Sequence, residues 1–267
     1  MDIIKRHNVT ISGSGEQVMV FVHGFGCDQR MWRLVAPAFE DQYRVVLLDL
    51  VGAGRSDLSA YDPARYASLE AHAQDVVQVL EALDAREVIL VGHSVSAMIG
   101  ALATIAAPER FAALVMVAPS PYYLNEAGYS GGFEPADIDE LLAAMDTNYL
   151  GWSGEMAPVI MGHNDRPELA GELYQSFCAT DPRIARHFAR ATFLSDHRAD
   201  MARVPTPTLV LQVTHDALVP VAVGAFLQHQ LPESQLVLLD TFGHCPHLSA
   251  PHPTTDAIRH YLRQRQL

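Results

Sequence analysis

One stretch of the chain, residues 87–108, constrains its fold more than any other. It opens with four apolar, mostly β-branched residues at 88–91, the pattern of a strand that is buried on both faces. After a short turn around Ser94, the small and apolar residues 97–106 are typical of a buried helix, which Pro108 ends. The stretch therefore predicts a buried strand, a tight turn and a buried helix, in that order.

The turn matches the G-x-S-x-G nucleophile elbow at every defined position but one. Gly92 is the small residue required before the serine, whereas the position two after the serine is Ser96 and not glycine. Such a turn holds Ser94 clear of the backbone at the carboxyl end of the sheet, and the next helix points free N–H groups at the same place. Ser94 is thus a candidate nucleophile, with a plain turn residue as the alternative.

A transmembrane helix is the competing interpretation of the whole apolar run. Gly92, His93, Ser94 and Ser96 interrupt the run, and no clusters of basic residues flank it. These features favour a buried strand and helix over a membrane span.

The composition favours one α/β domain with an insertion and excludes several classes of function. A chain of 267 residues can bury a large core, and its net charge of −13 argues against nucleic acid and anionic membranes as partners. Cys27, Cys178 and Cys245 stand at unrelated spacings, and the histidines form no H-E-x-x-H pair, so we expect no disulfide framework, metal or other cofactor. The first residues lack the apolar core of a signal peptide, which predicts a cytoplasmic protein.

Predicted strands and helices alternate outside residues 121–197, as is typical of a mostly parallel, doubly wound sheet of the α/β class. The predicted strands are 2–11, 18–22, 44–49, 88–91, 111–117, 208–213 and 235–239. The predicted helices are 29–39, with Leu34 on its apolar face, 68–83, 97–106, 221–230 and a last one from about Thr254. These elements make up a core domain of residues 1–120 and 198–267. The glycine-rich segment 50–56 lacks the ending of a phosphate-binding loop and is interpreted as a structural turn.

Residues 121–197 carry no strand signal, and we expect them to form a helical insertion after the sixth strand. The predicted helices lie near 135–147, 151–161, 167–179 and 181–194, with prolines between or within them. Because the segment is rich in aromatic residues, it is expected to cover the carboxyl ends of the strands as a lid over a small, mostly apolar ligand.

A serine nucleophile needs a base, and the base needs an acid to hold its tautomer. Asp216 follows one predicted strand of the core and His244 follows the next, which places both at the sheet edge where Ser94 lies. Asp196 and Asp240 are alternatives for the acid.

The choice of the base also leaves alternatives. His247 is a rival, but Gly243 puts His244 in a glycine-permitted turn and favours it. His93 is expected to point away from its neighbour Ser94 as a packing residue. The main-chain N–H groups of Val95 and Phe25, the latter in the 23–26 loop, are the candidates for an oxyanion hole.

With these residues in place, the chain resembles α/β-hydrolases along essentially its whole length. It is similar to the branch that contains the bacterial sigma-B regulator RsbQ and the plant karrikin and strigolactone receptors. The serine at position 96 is usual in this branch. The resembling strings are HGFGCDQRMW at 23–32, DLVGAGRSD at 49–57, GHSVSAMIG at 92–100, GGFEPADI at 131–138 and GHCPHLSAP at 243–251.

The resemblance implies an α/β-hydrolase fold with a four-helix lid insertion, the triad Ser94, Asp216 and His244, and the oxyanion donors Phe25 and Val95. It also implies a hydrophobic substrate pocket lined by Phe25, Tyr123, Phe133, Trp152, Phe193 and Leu218. Two functions follow from it as expectations. One is a serine hydrolase of a small apolar ester or lactone, and the other is a signalling protein that binds such a molecule and regulates a partner protein.

Other chemistries on the same fold are not equally open. A haloalkane dehalogenase is excluded because it needs aspartate where Ser94 stands, whereas a cofactor-free haloperoxidase or a carbon–carbon bond hydrolase is compatible with the triad.

Overall fold

A computed structural model describes residues 2–267 and contains one seven-stranded sheet within them. Its strands are β1 (Thr10–Ser12), β2 (Val18–Val22), β3 (Arg44–Leu48), β4 (Val88–His93), β5 (Phe111–Val117), β6 (Thr208–His215) and β7 (Ser234–Phe242). The strand order is β1-β3-β2-β4-β5-β6-β7, and only β1 runs antiparallel to its neighbour. The predicted mostly parallel α/β architecture is confirmed.

The helices alternate with these strands. They are α1 (Ile3–Arg6), α2 (Leu69–Ala82), α3 (Val95–Ala106), α4 (Pro135–Thr147), α5 (Tyr149–Met161), α6 (Pro167–Ala179), α7 (Pro182–Phe193), α8 (Val221–Gln230), α9 (Pro246–Ser249) and α10 (Pro251–Arg265). None of the helices within residues 2–267 is long and apolar enough to cross a bilayer.

The sheet is buried on both faces because its central strands are mostly apolar, and β2 and β5 are apolar at every position. Alternate residues of β2 belong to different hydrophobic clusters: Val18 and Val20 pack with α2, α3 and α8, whereas Met19 and Phe21 pack with α10. The carboxyl ends of the parallel strands consequently remain the open edge at which the loops collect.

Residues 121–197 form a helical segment made of α4 to α7. Pro135, Pro167 and Pro182 each stand at the start of a helix, where a missing N–H costs no hydrogen bond. The segment follows the fifth strand of this chain, so the expectation that it follows a sixth strand was wrong. Its apolar side chains join the same hydrophobic cluster as the strands.

The N-terminal strand is much shorter than predicted. Residues Ile3–Arg6 form a helical turn in which the Asp2 carboxylate accepts a hydrogen bond from the N–H of Ile4, and only Thr10–Ser12 pairs with β3. The apolar residues Ile3 and Ile4 are compatible with a strand or with a helical turn. The Asp2 cap and the left-handed backbone of Asn8 favour the helical turn.

The predicted helix at 29–39 is also wrong. Instead, two short 3-10 helices form, Gln29–Trp32 and Ala36–Phe39, separated by residues 33–35, with Pro37 in the first turn of the second one. Leu34 was expected on the buried face, but it is 46% exposed because the helical periodicity is broken there.

Candidate active site

The turn between β4 and α3 holds Ser94 in a strained backbone conformation. Its φ is 56° and its ψ is −122°, a combination that few residues other than glycine adopt. A Cβ atom at Gly92 would collide with the main-chain oxygen of Ser96, so strand and helix could not approach as closely with a larger residue there. The Ser96 hydroxyl donates to the main-chain oxygen of His23, which ties the elbow to the 23–26 loop. A serine at position 96 therefore adds a link that glycine could not make.

Three polar side chains converge behind this turn. The Ser94 Oγ lies 2.7 Å from Nε2 of His244, and Nδ1 of His244 lies 2.7 Å from Oδ2 of Asp216. The other carboxylate oxygen of Asp216 accepts hydrogen bonds from the N–H groups of Leu218 (2.8 Å) and Val219 (3.3 Å). Because a carboxylate can only accept, it holds the proton of His244 on Nδ1 and leaves the Nε2 lone pair facing the serine hydroxyl.

The loop that carries His244 is fixed by its main chain. The main-chain N–H of His244 donates to the main-chain oxygen of Ile160 at 2.7 Å, and that of Gly243 donates to the main-chain oxygen of His215 at 2.8 Å. Gly243 has a φ of 80°, and a Cβ atom there would collide with the main-chain oxygen of Met161. The end of α5 thus helps to place the imidazole.

The alternative acids lie elsewhere. Asp240 is exposed and accepts a hydrogen bond from Thr214, and Asp196 pairs with Arg198 at 2.6 Å. Neither contacts His244, so the structure brings together only Asp216 of the three candidate acids.

The alternative base, His247, is fully buried and packs on the Trp32 ring at 4.7 Å and on the His93 ring at 4.4 Å. Burial lowers its pKa to about 3, and neither of its nitrogens has a hydrogen-bond partner among residues 2–267. It lies behind the site as a neutral packing residue.

His93 does not contact the Ser94 hydroxyl. Its Nε2 donates to the main-chain oxygen of His244 at 2.8 Å, and burial lowers its pKa well below the ordinary value. It therefore supports the loop that carries the base.

The potential metal ligands His93, Cys245 and His247 have donor atoms within 4.8 Å of one another. Burial raises the pKa of the Cys245 thiol, and a protonated thiol is a poor ligand, so the chemistry of this group does not favour a cation.

The two candidate oxyanion donors are Val95, the first residue of α3, and Phe25, in the 23–26 loop that Ser96 contacts. Neither the Phe25 nor the Val95 N–H has an acceptor among residues 2–267. The 23–26 loop is held by His23, whose Nε2 accepts from the N–H of Leu50 at 3.0 Å. A Cβ atom at Gly24 would collide with the His93 ring, so the loop lies directly against the residue before Ser94.

A small, mostly apolar cavity lies beside Ser94. Its lining includes five of the six predicted pocket residues, namely Phe25, Tyr123, Trp152, Phe193 and Leu218. The sixth, Phe133, is not a lining residue, and its ring packs against that of Tyr123 at 6.4 Å, so this prediction is corrected.

Other lining residues were not predicted for the pocket. They are Cys27, His93, Leu141, Met156, Ile160, Leu173, Phe177, Thr192 and Cys245. A helical period was the available signal for several of them, because Met156 and Ile160 follow Trp152 at steps of four, and Phe177 follows Leu173 at the same step.

Phe25 is the centre of the aromatic cluster in the cavity. Its ring lies 6.3 Å from Trp152, 6.2 Å from Phe177, 5.8 Å from Phe188 and 6.1 Å from Phe193. Phe25, one of the two candidate oxyanion donors, therefore also carries the ring on which three helices of the helical segment converge.

Comparison with known proteins gives consistent relatives. The profile of the Alpha/beta hydrolase family matches residues 19–257. The chain is 42% identical over 246 residues to the karrikin insensitive 2 receptor CA of Petunia hybrida, covering 92% of this chain and 91% of the relative. It is 37% identical to the strigolactone esterase D14 of Arabidopsis thaliana, with 98% of both covered. A solved hydrolase from Oleispira antarctica is 42% identical, with a TM-score of 0.96 and 98% and 96% of the two chains covered.

Proposed function

Because this chain belongs to the α/β-hydrolase family, in the branch of the karrikin and strigolactone receptors, we propose that it is a serine hydrolase of small, mostly apolar esters or lactones. The observation that carries the proposal is the unbroken series of hydrogen bonds from Ser94 through His244 to Asp216, at the edge of an apolar cavity. The relatives named as esterases support the same reaction class.

The proposed reaction begins when His244 Nε2 takes the proton of Ser94 as its Oγ attacks the carbonyl carbon. The N–H groups of Phe25 and Val95 stabilise the oxyanion of the tetrahedral intermediate. The alcohol leaves with the proton held by His244, and an acyl-enzyme remains on Ser94. Water then attacks the acyl carbon while His244 takes its proton, and the acid leaves as Ser94 Oγ regains a proton. Throughout, Asp216 fixes the tautomer and stabilises the transient imidazolium.

The proposal treats residues 121–197 as a lid on a core domain of residues 1–120 and 198–267. This division is supported by the residues that line the cavity, because each of the helices α4 to α7 contributes at least one of them. Examples are Leu141, Trp152, Phe177 and Phe193. The apolar lining favours a small substrate with limited polarity.

A second candidate function is that of a receptor which binds a small hydrophobic signal, hydrolyses it slowly and regulates a partner protein. The observation that favours it is the 42% identity to a protein named as a receptor. The helical segment also exposes the large apolar side chains Leu150, Val159 and Leu194, which a partner protein could cover. A cytoplasmic location stays a prediction.

One time course separates the two functions. Purified protein and its Ser94→Ala variant are given p-nitrophenyl acetate and a butenolide ester in large excess. The proposed hydrolase gives many turnovers per molecule, and Ser94→Ala lowers the rate by at least about 10³-fold. A burst of one equivalent followed by near silence favours the receptor. An unchanged rate in Ser94→Ala contradicts both, because neither reaction could then use this serine.

A further inference from the structure

Thr192, near the end of α7, carries a hydroxyl that has no hydrogen-bond partner among residues 2–267. The residue is only 3% exposed, and it lines the cavity beside Ser94. Buried hydroxyl groups are rarely left unpaired, since an unsatisfied one costs about 1–3 kcal/mol. The position of this hydroxyl therefore calls for an explanation beyond packing.

Two other buried hydroxyls in helices of this chain are satisfied within their own helix. Thr104 donates to the oxygen of Ala101 at 2.7 Å, and Ser153 donates to the oxygen of Tyr149 at 2.7 Å. The same bond within α7 is open to a threonine, but Thr192 does not make it. Its proton is thus left available to a group that lies outside its own helix.

The surroundings of Thr192 hold no such group. The next residue, Phe193, lies 6.1 Å from the Phe25 ring and 5.0 Å from the Tyr123 ring, so this part of α7 faces the aromatic cluster. Apart from Ser94 and Tyr123, Thr192 is the only hydroxyl-bearing residue in the lining of the cavity. An acceptor that enters the cavity with the ligand would satisfy this hydroxyl.

We propose that Thr192 is a specificity-determining residue that donates a hydrogen bond to a second oxygen of the substrate. The substrate class is an ester or lactone that carries a keto or ether oxygen away from the bond that is cleaved. This inference rests on the proposed hydrolase function and deepens it. Its physical basis is that a site which hydrogen-bonds a substrate group discriminates against an analogue that lacks the group, because the partner in the protein is then left unpaired.

The test compares matched pairs of substrates that differ by one oxygen. One pair has the oxygen in the acid part, p-nitrophenyl 4-oxopentanoate against p-nitrophenyl pentanoate. The other has it in the alcohol part, 3-oxobutyl acetate against butyl acetate, followed by acid release. For each pair, kcat/KM of the oxo ester is divided by that of the plain ester, in wild type and in Thr192→Val, which replaces the hydroxyl by a methyl group of similar size.

We expect the ratio of at least one pair to fall about tenfold in Thr192→Val, the size of one hydrogen bond to a neutral group. Thr192→Ser, which keeps a hydroxyl, should restore most of the ratio. The control is Thr104→Val, which removes a buried helical hydroxyl that does not line the cavity, and it should leave both ratios unchanged.

Equal ratios in wild type and Thr192→Val for both pairs would overturn the proposal, and would mean that a water molecule or nothing at all satisfies the hydroxyl. A fall of the same size in Thr104→Val would overturn it too, since the effect would then come from loosened packing.

Failure of the hydrolase proposal is distinguishable from these outcomes. If wild type cleaves none of the four esters, their effect on the melting temperature of the Ser94→Ala protein replaces turnover as the readout. A larger shift by an oxo ester than by its plain partner, abolished by adding Thr192→Val, supports the subsite, whereas equal shifts overturn it.

Discussion

On its sheet side the cavity is bordered by loops whose polar side chains Asp216, His23 and Ser96 are hydrogen-bonded, whereas the helical segment borders it mostly with apolar side chains. On the sheet side, Asp216 accepts three hydrogen bonds, His23 is held through the Leu50 N–H, and Ser96 is tied to the His23 carbonyl. These contacts use main-chain atoms at several points. A single side-chain change there disturbs groups that have no substitute partner.

The helical side is attached more loosely. Among its links to the rest of the chain are the Ser176 hydroxyl donating to the Gly26 oxygen at 2.8 Å and Arg166 donating to the Ser249 oxygen at 2.9 Å. Its lining side chains are held by packing, which tolerates exchange between apolar residues of similar volume better than a hydrogen-bonded network does. Under the proposed function, this difference assigns the reaction to the sheet side and the choice of ligand to the helical side.

The largest effect is expected from Asp216→Asn, on the sheet side. The amide would present a donor to Nδ1 of His244 and favour the wrong tautomer, so kcat should fall by about 10⁴-fold. Steady-state hydrolysis of p-nitrophenyl acetate measures this effect. Asp240→Asn is the matched control, because Asp240 lies near the end of β7 but is exposed, so its replacement should leave kcat unchanged. An equal loss of kcat in Asp216→Asn and Asp240→Asn would contradict a specific role of Asp216 in the reaction.

Gly92→Ala tests the close approach of strand and helix on the same side. The added methyl group meets the main-chain oxygen of Ser96, which cannot move without displacing α3. We expect a loss of about 3 kcal/mol or more in the free energy of unfolding, measured by urea denaturation. Near-wild-type stability would mean that the elbow adapts easily and that the sheet side is less rigid than described.

His72 lies where the two sides meet, with its ring 4.7 Å from Tyr66 on one side and 4.9 Å from Phe188 of α7 on the other. Burial lowers its pKa from 6.5 to about 3 in the folded protein. Between these values the unfolded chain binds a proton that the folded one does not. Its contribution to stability is therefore complete above pH 6.5 and is lost as the pH falls towards 3.

His72→Phe should weaken this pH dependence. The loss of unfolding free energy between pH 7.5 and pH 5 should be smaller than in wild type by about 2 kcal/mol. Part of the dependence remains, because burial also lowers the pKa of His93 and His247. Denaturation at both pH values measures the difference, with His252→Gln at an exposed histidine as the control. A slope identical to that of wild type would contradict a neutral, buried His72.

The smallest effect is expected from Gly171→Ala on the helical side. Gly171 lies on the exposed face of α6, and a Cβ atom there would meet no heavy atom within 4 Å. Replacing a helical glycine by alanine should raise the free energy of unfolding by about 0.5–1 kcal/mol. The same denaturation assay measures Gly171→Ala and Gly92→Ala. If Gly171→Ala also destabilises the protein, the helical side is as tightly constrained as the sheet side.

The sequence by itself determined the class of fold and the three residues that the structure brings together. The reason is that β4, the elbow and α3 each have a local sequence signal. An apolar run predicts β4, a small residue before Ser94 predicts the elbow, and a proline marks the end of α3. Asp216 and His244 follow strands of a parallel sheet, and topology alone sends such positions to one edge. The short first strand and the broken helix at 29–39 were missed because caps and a proline override an apolar pattern.

Only the tertiary structure decided which side chains meet at the cavity. The sequence could not separate Phe133, which packs against Tyr123, from Phe177, which lines the cavity, because both are apolar residues of one segment. Nor could it show that the end of α5 holds the His244 main chain, or that the Thr192 hydroxyl is left without a partner. Contacts between residues far apart in the chain depend on how helices pack, and packing is set by the joint shape of many side chains rather than by any local pattern.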